Sequence, residues 1–483
     1  MKRLSVIWFL TLIVVTVNGQ WLHVSPDSRR LVKDDGSVFF YMADTGWELF
    51  HRCTKDETEM YLKDRKAKGF NVIQAVVLAE LDGLNTPNAE GKTPLINNDP
   101  LRPNEAYFKH VDWVIRKAEE LGMYIAVLPT WGDKWNERWG TGPVIFDTPE
   151  KAGRYGKWIG KRYKDQPNII WILGGDRNPE KPGHMDIIRA MAEGIRGGDQ
   201  GRHLISYHPS GSKSSSQWFH NDSWLDFNMA QTGHMERNHP VYDLTGHDYR
   251  LEPVKPCLDG EPQYEDLPVG FTDKNERFIA YDARQAAYWS VLAGALGHTY
   301  GNNNIWQMWA PGRKPVIDAR IPWYNAIHQP GSLQMGYMRR LFESRPFLEM
   351  VPDQDILANV YGQDKRTIRA ARGTDSSFVI VYSSFGKPVH LRLGMLAADT
   401  LNGYWYNPRE GKSIKIHDFT NPRNVKAFVP PSSGDRTDWV LVLDDKHKDY
   451  PDPAYNLIVR KFIRPRQNTT KHLVLYTAVE MFK

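Results

Sequence analysis

The sequence predicts an α/β chain: a (β/α)8 TIM barrel over residues 20–351, then an antiparallel β-sandwich over 352–445. Three observations carry that expectation. Eight apolar, β-rich runs follow one another between residues 38 and 300. Helical patterns separate several of them, which is the grammar of a parallel sheet covered by helices. After about Pro352 the helical period stops, and short β-runs parted by Gly, Pro, Asp and Asn replace it. A doubly wound open sheet is the alternative, but no Gly-x-Gly-x-x-Gly follows the first strand.

The strand signals are Val38–Ala43, Asn71–Leu78, Met123–Leu128, Ile169–Leu173, His203–Tyr207, Asp226–Ala230, Lys255–Leu258 and His298–Tyr300. NVIQAVVL is nearly continuous in apolar residues, as suits a strand buried on both faces. Among the helices, Thr54 with Glu57 forms a capping box, and Gly69 stops the helix it opens. From Asn104 to Leu121, Phe108, Val111, Ile115 and Ala118 fall on one face. Thr148 precedes Pro149, an N-cap followed by proline in the first turn. Met185–Ile195, Asn275–Leu296 and Ser332–Glu343 complete the helical series. In the sandwich the expected strands are Ile356–Tyr361, Thr367–Ala371, Phe378–Ser383, Val389–Leu393, Ser413–Ile416, Val425–Val429 and Trp439–Leu443. Residues 446–483 break the pattern and carry no assigned role.

Residues 1–19 read as an export signal. Lys2 and Arg3 precede the apolar stretch Leu4–Val15, which is too short to span a bilayer, and Val17-Asn18-Gly19 offers small residues for cleavage before Gln20. The mature protein is then expected in the periplasm or outside the cell, without a membrane span. Lys and Arg number 62 against 57 Asp and Glu, with no basic run, so a nucleic-acid partner is not indicated. Cys53 and Cys257 are too few for a disulfide scaffold, and two buried thiols are expected. No zinc or nucleotide-loop signature occurs, and no metal or other cofactor is expected. Aromatic residues reach 12%, enough to supply stacking faces for sugar rings as well as a core.

In a barrel of this kind the chemistry lies where strands end at their C-termini. Read strand by strand, those positions hold Asp44, Glu80, Trp131, Asp176, His208, Gln231 with His234, Glu261 with Tyr264, and Trp306 with Trp309. Each alone suits a loop residue or a cap; eight in register point to a site. Asp176 follows the fourth strand through Gly174-Gly175 and also suits an N-cap beyond Pro179. Glu261 follows the seventh strand, where a structural salt bridge is the alternative. Two carboxylates on strands four and seven face each other across a barrel mouth. Cleavage of a glycosidic bond needs such a pair, one to protonate the leaving oxygen and one to stabilise or trap the sugar cation. No Gly-x-Ser-x-Gly elbow supports a serine hydrolase.

Five segments, ADTGWELFHR (43–52), NVIQAVVLAELDGLNTPNAEG (71–91), LPTWGDKW (128–135), NIIWILGGDRNP (168–179) and DGEPQYE (259–265), resemble glycoside hydrolase family 140, the apiosidases of pectin degradation. The resemblance covers about residues 21–445, including YWYNPREG (404–411) in the sandwich. It implies a retaining, exo-acting glycosidase that releases a terminal sugar, apiose, from pectic side chains such as those of rhamnogalacturonan II, with Asp176 as acid/base and Glu261 as nucleophile. The wider clan of retaining barrel hydrolases ends strand four in Asn-Glu, where this chain has Gly175-Asp176. Asp44, Trp47, Glu80, Trp131, Lys134, Arg177, Asn178, His208, Gln231, His234, Tyr264, Trp306 and Trp309 are then expected to line the sugar pocket. Lys134 or Arg177 is expected to pair with a uronic carboxylate beside the scissile bond. Retention requires the two carboxyl groups about 5–5.5 Å apart. Another plant-polysaccharide glycoside, or a non-catalytic carbohydrate-binding barrel, remains the alternative reading.

Overall fold

The computed structural model describes residues 20–359, 362 and 364–454. The expected export segment and the tail from 455 lie outside these residues. A short antiparallel meander (Leu22–Val24, Leu31–Lys33, Val38–Phe39) leads into the first parallel strand.

Strands β1 (Tyr41–Thr45), β2 (Val72–Leu78), β3 (Tyr124–Thr130), β4 (Ile169–Leu173), β5 (Ile205–Tyr207), β6 (Asn228–Gln231), β7 (Cys257–Asp259) and β8 (Gly297–Tyr300) match the eight expected positions to within a few residues. Six form one parallel sheet in the order β8-β1-β2-β3-β4-β5, and β6 pairs in parallel with β7. Two backbone bonds join these arcs. Asp226 N donates to Ile205 O at 2.9 Å before β6, and Leu296 N donates to Cys257 O at 2.8 Å before β8. Across the interior, the Gln74 amide on β2 donates to Gly260 O beyond β7 at 3.0 Å.

Strand periodicity explains why these runs are apolar throughout. Successive side chains point to opposite faces. Val72 and Val76 of β2 join an inner cluster with Ala126, Leu128, Ile170, Ile172, Met229 and Leu258. Ile73, Ala75 and Val77 join the layer under the helices, with Ile125, Val127 and Trp171. Both faces are buried, so no polar alternation is visible in the sequence.

The helices are α1 (Lys55–Ala67), α2 (Glu105–Glu120), α3 (Pro149–Tyr163), α4 (Pro182–Asp199), α5 (Val241–Tyr249), α6 (Ala280–Leu292) and α7 (Pro330–Glu343). The capping box of α1 is present: Glu57 N donates to Thr54 Oγ1 and Thr54 N to Glu57 Oε2. Helix α4 runs past the expected stop at Gly197-Gly198 because Gly198 packs directly on α3; a Cβ there would meet Lys157 O at 2.3 Å. Residues 275–279, expected in a helix, instead form a loop pinned by a bridge between Pro268 and Arg277.

The C-terminal region holds β9 (Met350–Pro352), β10 (Ile368–Gly373), β11 (Phe378–Ser383), β12 (Val389–Arg392), β13 (Thr400–Asn407), β14 (Lys412–Thr420), β15 (Val425–Phe428) and β16 (Trp439–Asp445). Six make an antiparallel sheet in the order β9-β10-β11-β16-β13-β14, and β12 pairs with β15. Two expectations change. Of the expected Ile356–Tyr361 strand, the described residues 356–359 contribute a single bridge at Leu357, residues 360 and 361 lying outside the described set, and β13 is a full strand absent from the expected ones. Its alternating Leu401, Gly403, Trp405 pattern is masked in sequence by Asn402 and the flanking glycine. The ordered region also runs beyond 445, since Tyr450 packs on Phe378 and Arg345 donates to Pro451 O.

The two regions share a polar and aromatic seam. Arg284 of α6 makes a two-pronged pair with Asp438 (2.9 and 2.8 Å), buried on both sides. Tyr288 stacks on Tyr382 at 4.7 Å between ring centres.

Candidate active site

The C-terminal ends of the parallel strands open into one cavity of about 570 Å³. Trp47, Glu80, Trp131, Asp176, Gln231, His234, Glu261, Tyr264 and Trp306 line it, as the sequence led us to expect.

Asp176 reaches the cavity through an unusual backbone path. Gly174, Gly175 and Asp176 all have positive φ (97°, 67° and 59°). A Cβ at Gly174 would lie 2.3 Å from His208 O, and one at Gly175 would lie 2.7 Å from Gly132 N. Glycine is therefore required twice, for conformation and for space. The Lys181 cap of α4 starts the helix beyond, so Asp176 is no N-cap.

Glu261 sits between two histidines. His234 Nε2 lies 2.9 Å from Oε1. His208 Nε2 lies 3.1 Å from Oε2, off the line of an ideal hydrogen bond. The Asp176 backbone N–H donates to His208 Nδ1 at 3.2 Å. That nitrogen accepts, so the proton of a neutral His208 resides on Nε2 and faces Glu261. His208 thus ties the turn bearing one carboxylate to the side chain of the other.

The two carboxyl groups are pushed in opposite directions. Burial raises Asp176, and the negative charge of Glu261 raises it further, to about 7 against the opposing pull of His208 and Arg177. Burial also acts to raise Glu261, but the ring N–H groups that His208 and His234 turn toward it outweigh burial and hold Glu261 down to about 2. Glu80, the third carboxyl in the cavity, is raised by burial first and by Asp176 next. This is the separation that assigns an acid and an ionised partner to two carboxyl groups in one site.

Aromatic faces form the floor. Trp47 and Trp131 tilt against each other at 5.4 Å, and Trp47 meets the His208 ring edge-on at 5.5 Å. Trp131 Nε1, Gln231 Oε1 and His234 Nδ1 are buried without a protein partner. All three atoms belong to side chains that line the cavity.

Six expected residues stand elsewhere. Asp44 is fully buried behind the mouth, bound by Tyr61 and Arg65, where it locks α1 to β1. His208 lies behind the carboxylates and positions them. Lys134 is fully buried, paired with Asp133 at 2.7 Å and donating to Ala79 O at 2.8 Å. Arg177 is buried beneath Trp139, its guanidinium 3.9 Å from the ring centre, and donates to the carbonyls of Asp176 and Trp139. Neither cation is available to a uronic carboxylate. Asn178 braces the loop by accepting from Ser210 N, and Trp309 donates to Arg313 O. In their place the cavity takes Trp139, Ser210, Ser212, Met235, Leu267, Phe271 and Ile317. Their only sequence signal is membership of the loops after strands three, five, six, seven and eight.

Cys53 and Cys257 are buried free thiols, and neither lines this cavity. No helix among the described residues is long and apolar enough to cross a membrane.

Residues 25–349 match the family model described as "Apiosidase-like, catalytic domain", and residues 351–444 match "Putative collagen-binding domain of a collagenase". Comparison with curated proteins returns no match. Among solved structures, one titled "Glycoside hydrolase" is 34% identical, with 90% of this chain and 98% of that one covered and a TM-score of 0.82. A glycoside hydrolase family 5 protein from Bacteroides vulgatus ATCC 8482 is 32% identical over 92% of this chain and 98% of that one, with a TM-score of 0.83. A carboxylate pair split in acidity, on aromatic-floored strand ends, meets these likenesses at one point: the chain belongs to the apiosidase-like family and is a glycoside hydrolase.

Proposed function

We propose that the protein is a retaining, exo-acting glycosidase that releases a terminal sugar, apiose, from pectic side chains such as those of rhamnogalacturonan II, after export to the periplasm or the medium. The observation that carries the mechanism is the grip of His208 and His234 on Glu261 beside a raised Asp176. Two further readings of the fold go with it: the eight parallel strands close into one barrel, and the antiparallel ladders of the C-terminal region form a sandwich.

In the first step a Glu261 oxygen attacks the anomeric carbon while protonated Asp176 gives its proton to the glycosidic oxygen. The C–O bond to the leaving group breaks, and a glycosyl ester of Glu261 forms. In the second step Asp176, now a carboxylate, takes a proton from water. The water oxygen bonds to the anomeric carbon, and Glu261 leaves with its charge restored. Asp176 is 22% exposed and Glu261 9%, which suits an acid nearer the leaving group and a nucleophile deeper in the pocket. Trp131, Gln231 and His234, each with a buried polar atom that has no protein partner, are the side chains assigned to the sugar hydroxyls in this reading. The cavity, about 570 Å³, has room for the terminal sugar together with part of the group it is attached to.

The test is a screen of the purified protein on branched pectic oligosaccharides and on aryl glycosides, β-apiofuranoside included, with Glu261→Gln as control. Free apiose released by the native protein and not by the variant is the expected result. Release of a different sugar would redirect the substrate assignment, and cleavage of internal backbone bonds would remove exo-action.

A further inference from the structure

We propose that the leaving-group side of this site takes an uncharged unit with an apolar face and discriminates against a free carboxylate there. The inference rests on the glycosidase reading and specifies the substrate further. On pectic material it means a methyl-esterified or neutral neighbour in preference to an ionised uronic acid.

The cavity has a buried floor of tryptophan faces among polar side chains and an exposed apolar rim. Trp47, Trp131 and Trp306 are buried, whereas Trp139, Met235 and Phe271 are 40%, 65% and 48% exposed while lining the same space. A terminal sugar fills the buried part, so the group it is attached to leaves through that rim. Exposed large apolar side chains clustered at a cavity mouth mark a contact surface. Phe271 packs edge-on to His234 at 5.6 Å, so the rim is continuous with the groups that hold Glu261.

The charge pattern excludes an anion from the same place. Glu80, Asp176 and Glu261 line the cavity, and no Lys or Arg does. Of the cations on the surrounding loops, four are engaged elsewhere, and the exposed Lys213, Lys274 and Lys314 stand outside the lining set. Lys134 pairs with Asp133, and Arg177 is buried under Trp139. Arg138 stacks on Trp139 at 5.1 Å and pairs with Glu180, and Arg237 pairs with Glu276 at 2.9 Å. A carboxylate on the rim would lose water against apolar side chains, gain no cationic partner among the lining residues, and face ionised Glu261. A methyl ester of the same unit loses nothing comparable.

The probes are the β-apiofuranosides of 3-(4-hydroxyphenyl)propionic acid and of its methyl ester. The two-carbon spacer keeps the phenols almost equally acidic, so the leaving groups differ in remote charge alone. The ester should show a kcat/KM about tenfold or more above that of the acid, with the difference in KM. Met235→Arg, which puts a cation on the rim, should narrow the ratio, and Lys213→Ala should leave it within about twofold. Equal rates, or preference for the acid, would overturn the inference while leaving the glycosidase reading intact. If neither probe is cleaved, the glycosidase reading in its apiose form fails. Titration calorimetry of both probes then decides the charge argument: tighter ester binding supports it and equal affinity overturns it.

Discussion

Removing His234 should move the acid limb of the pH–activity profile upward without moving the identity of the nucleophile. His234 Nε2 donates to Glu261 Oε1 at 2.9 Å in a buried setting. A hydrogen bond to a charged group contributes about 1.5–3 kcal/mol. One pKa unit corresponds to about 1.36 kcal/mol, so His234→Phe should raise the Glu261 titration by about one to two units. The sign follows from its held-down value: Glu261 works ionised, so activity is lost as pH falls through its titration, and a raised value brings that loss to higher pH. In the native protein the limb lies near the bottom of the accessible range. In His234→Phe it should enter the range about pH 3–4, while His234→Gln, which keeps an N–H donor, should restore much of the native profile. The alkaline limb belongs to Asp176, raised to about 7, whose proton must be present; activity falls as pH rises through it. The profile reports values of the coupled groups together. The assay is kcat/KM on an aryl glycoside between about pH 3 and 9, with a stability check at each pH. A uniform drop in rate with an unmoved acid limb would refute the role given to His234.

Three further outcomes are expected. Asp176→Asn should lower kcat/KM about 10²–10⁴-fold on substrates with poor leaving groups and far less on a dinitrophenyl glycoside, whose departure needs no proton; equal losses on both would remove Asp176 as the acid. Arg284→Met should cost about 3–5 kcal/mol, because it strands buried Asp438 at the seam between the two regions, and a thermal melt unchanged within a degree would contradict that. Lys134→Met should lower the melting temperature by leaving Asp133 buried and unpaired, with equal kinetic effects on acidic and neutral substrates; a selective rise in KM for the acidic one would return Lys134 to the binding surface.

The strands and the proposed catalytic pair were legible because both depend on patterns that one sequence contains. NVIQAVVL is apolar on both faces because both faces are buried, and the run ends where Glu80 begins. Gly174-Gly175-Asp176 was legible as a tight turn because no Cβ fits at either glycine. The direction of long side chains was not. Lys134 and Arg177 sit beside the right strand ends, yet one folds back onto Asp133 and the other slides beneath Trp139. A strand end places a Cα, whereas a lysine or arginine head travels several ångströms from it and settles where a carboxylate, carbonyl or ring is close. Asp44 was misplaced for a related reason: it ends a strand, but Arg65 and Tyr61 of α1 reach it first. The rim residues Met235 and Phe271 come from loops whose course depends on distant contacts, such as the bridge from Pro268 to Arg277.

The central claim is that Glu261 attacks the sugar and Asp176 serves it as acid and then base. The most direct measurement is mass spectrometry of Asp176→Ala protein incubated with a 2,4-dinitrophenyl glycoside of the released sugar. Without Asp176 to activate water, the first step outruns the second. The account predicts a burst of one equivalent of dinitrophenolate and one glycosyl unit on the peptide holding Glu261. A label on Glu80, the third carboxyl of the cavity, or turnover with no adduct and a product of inverted configuration, would contradict it.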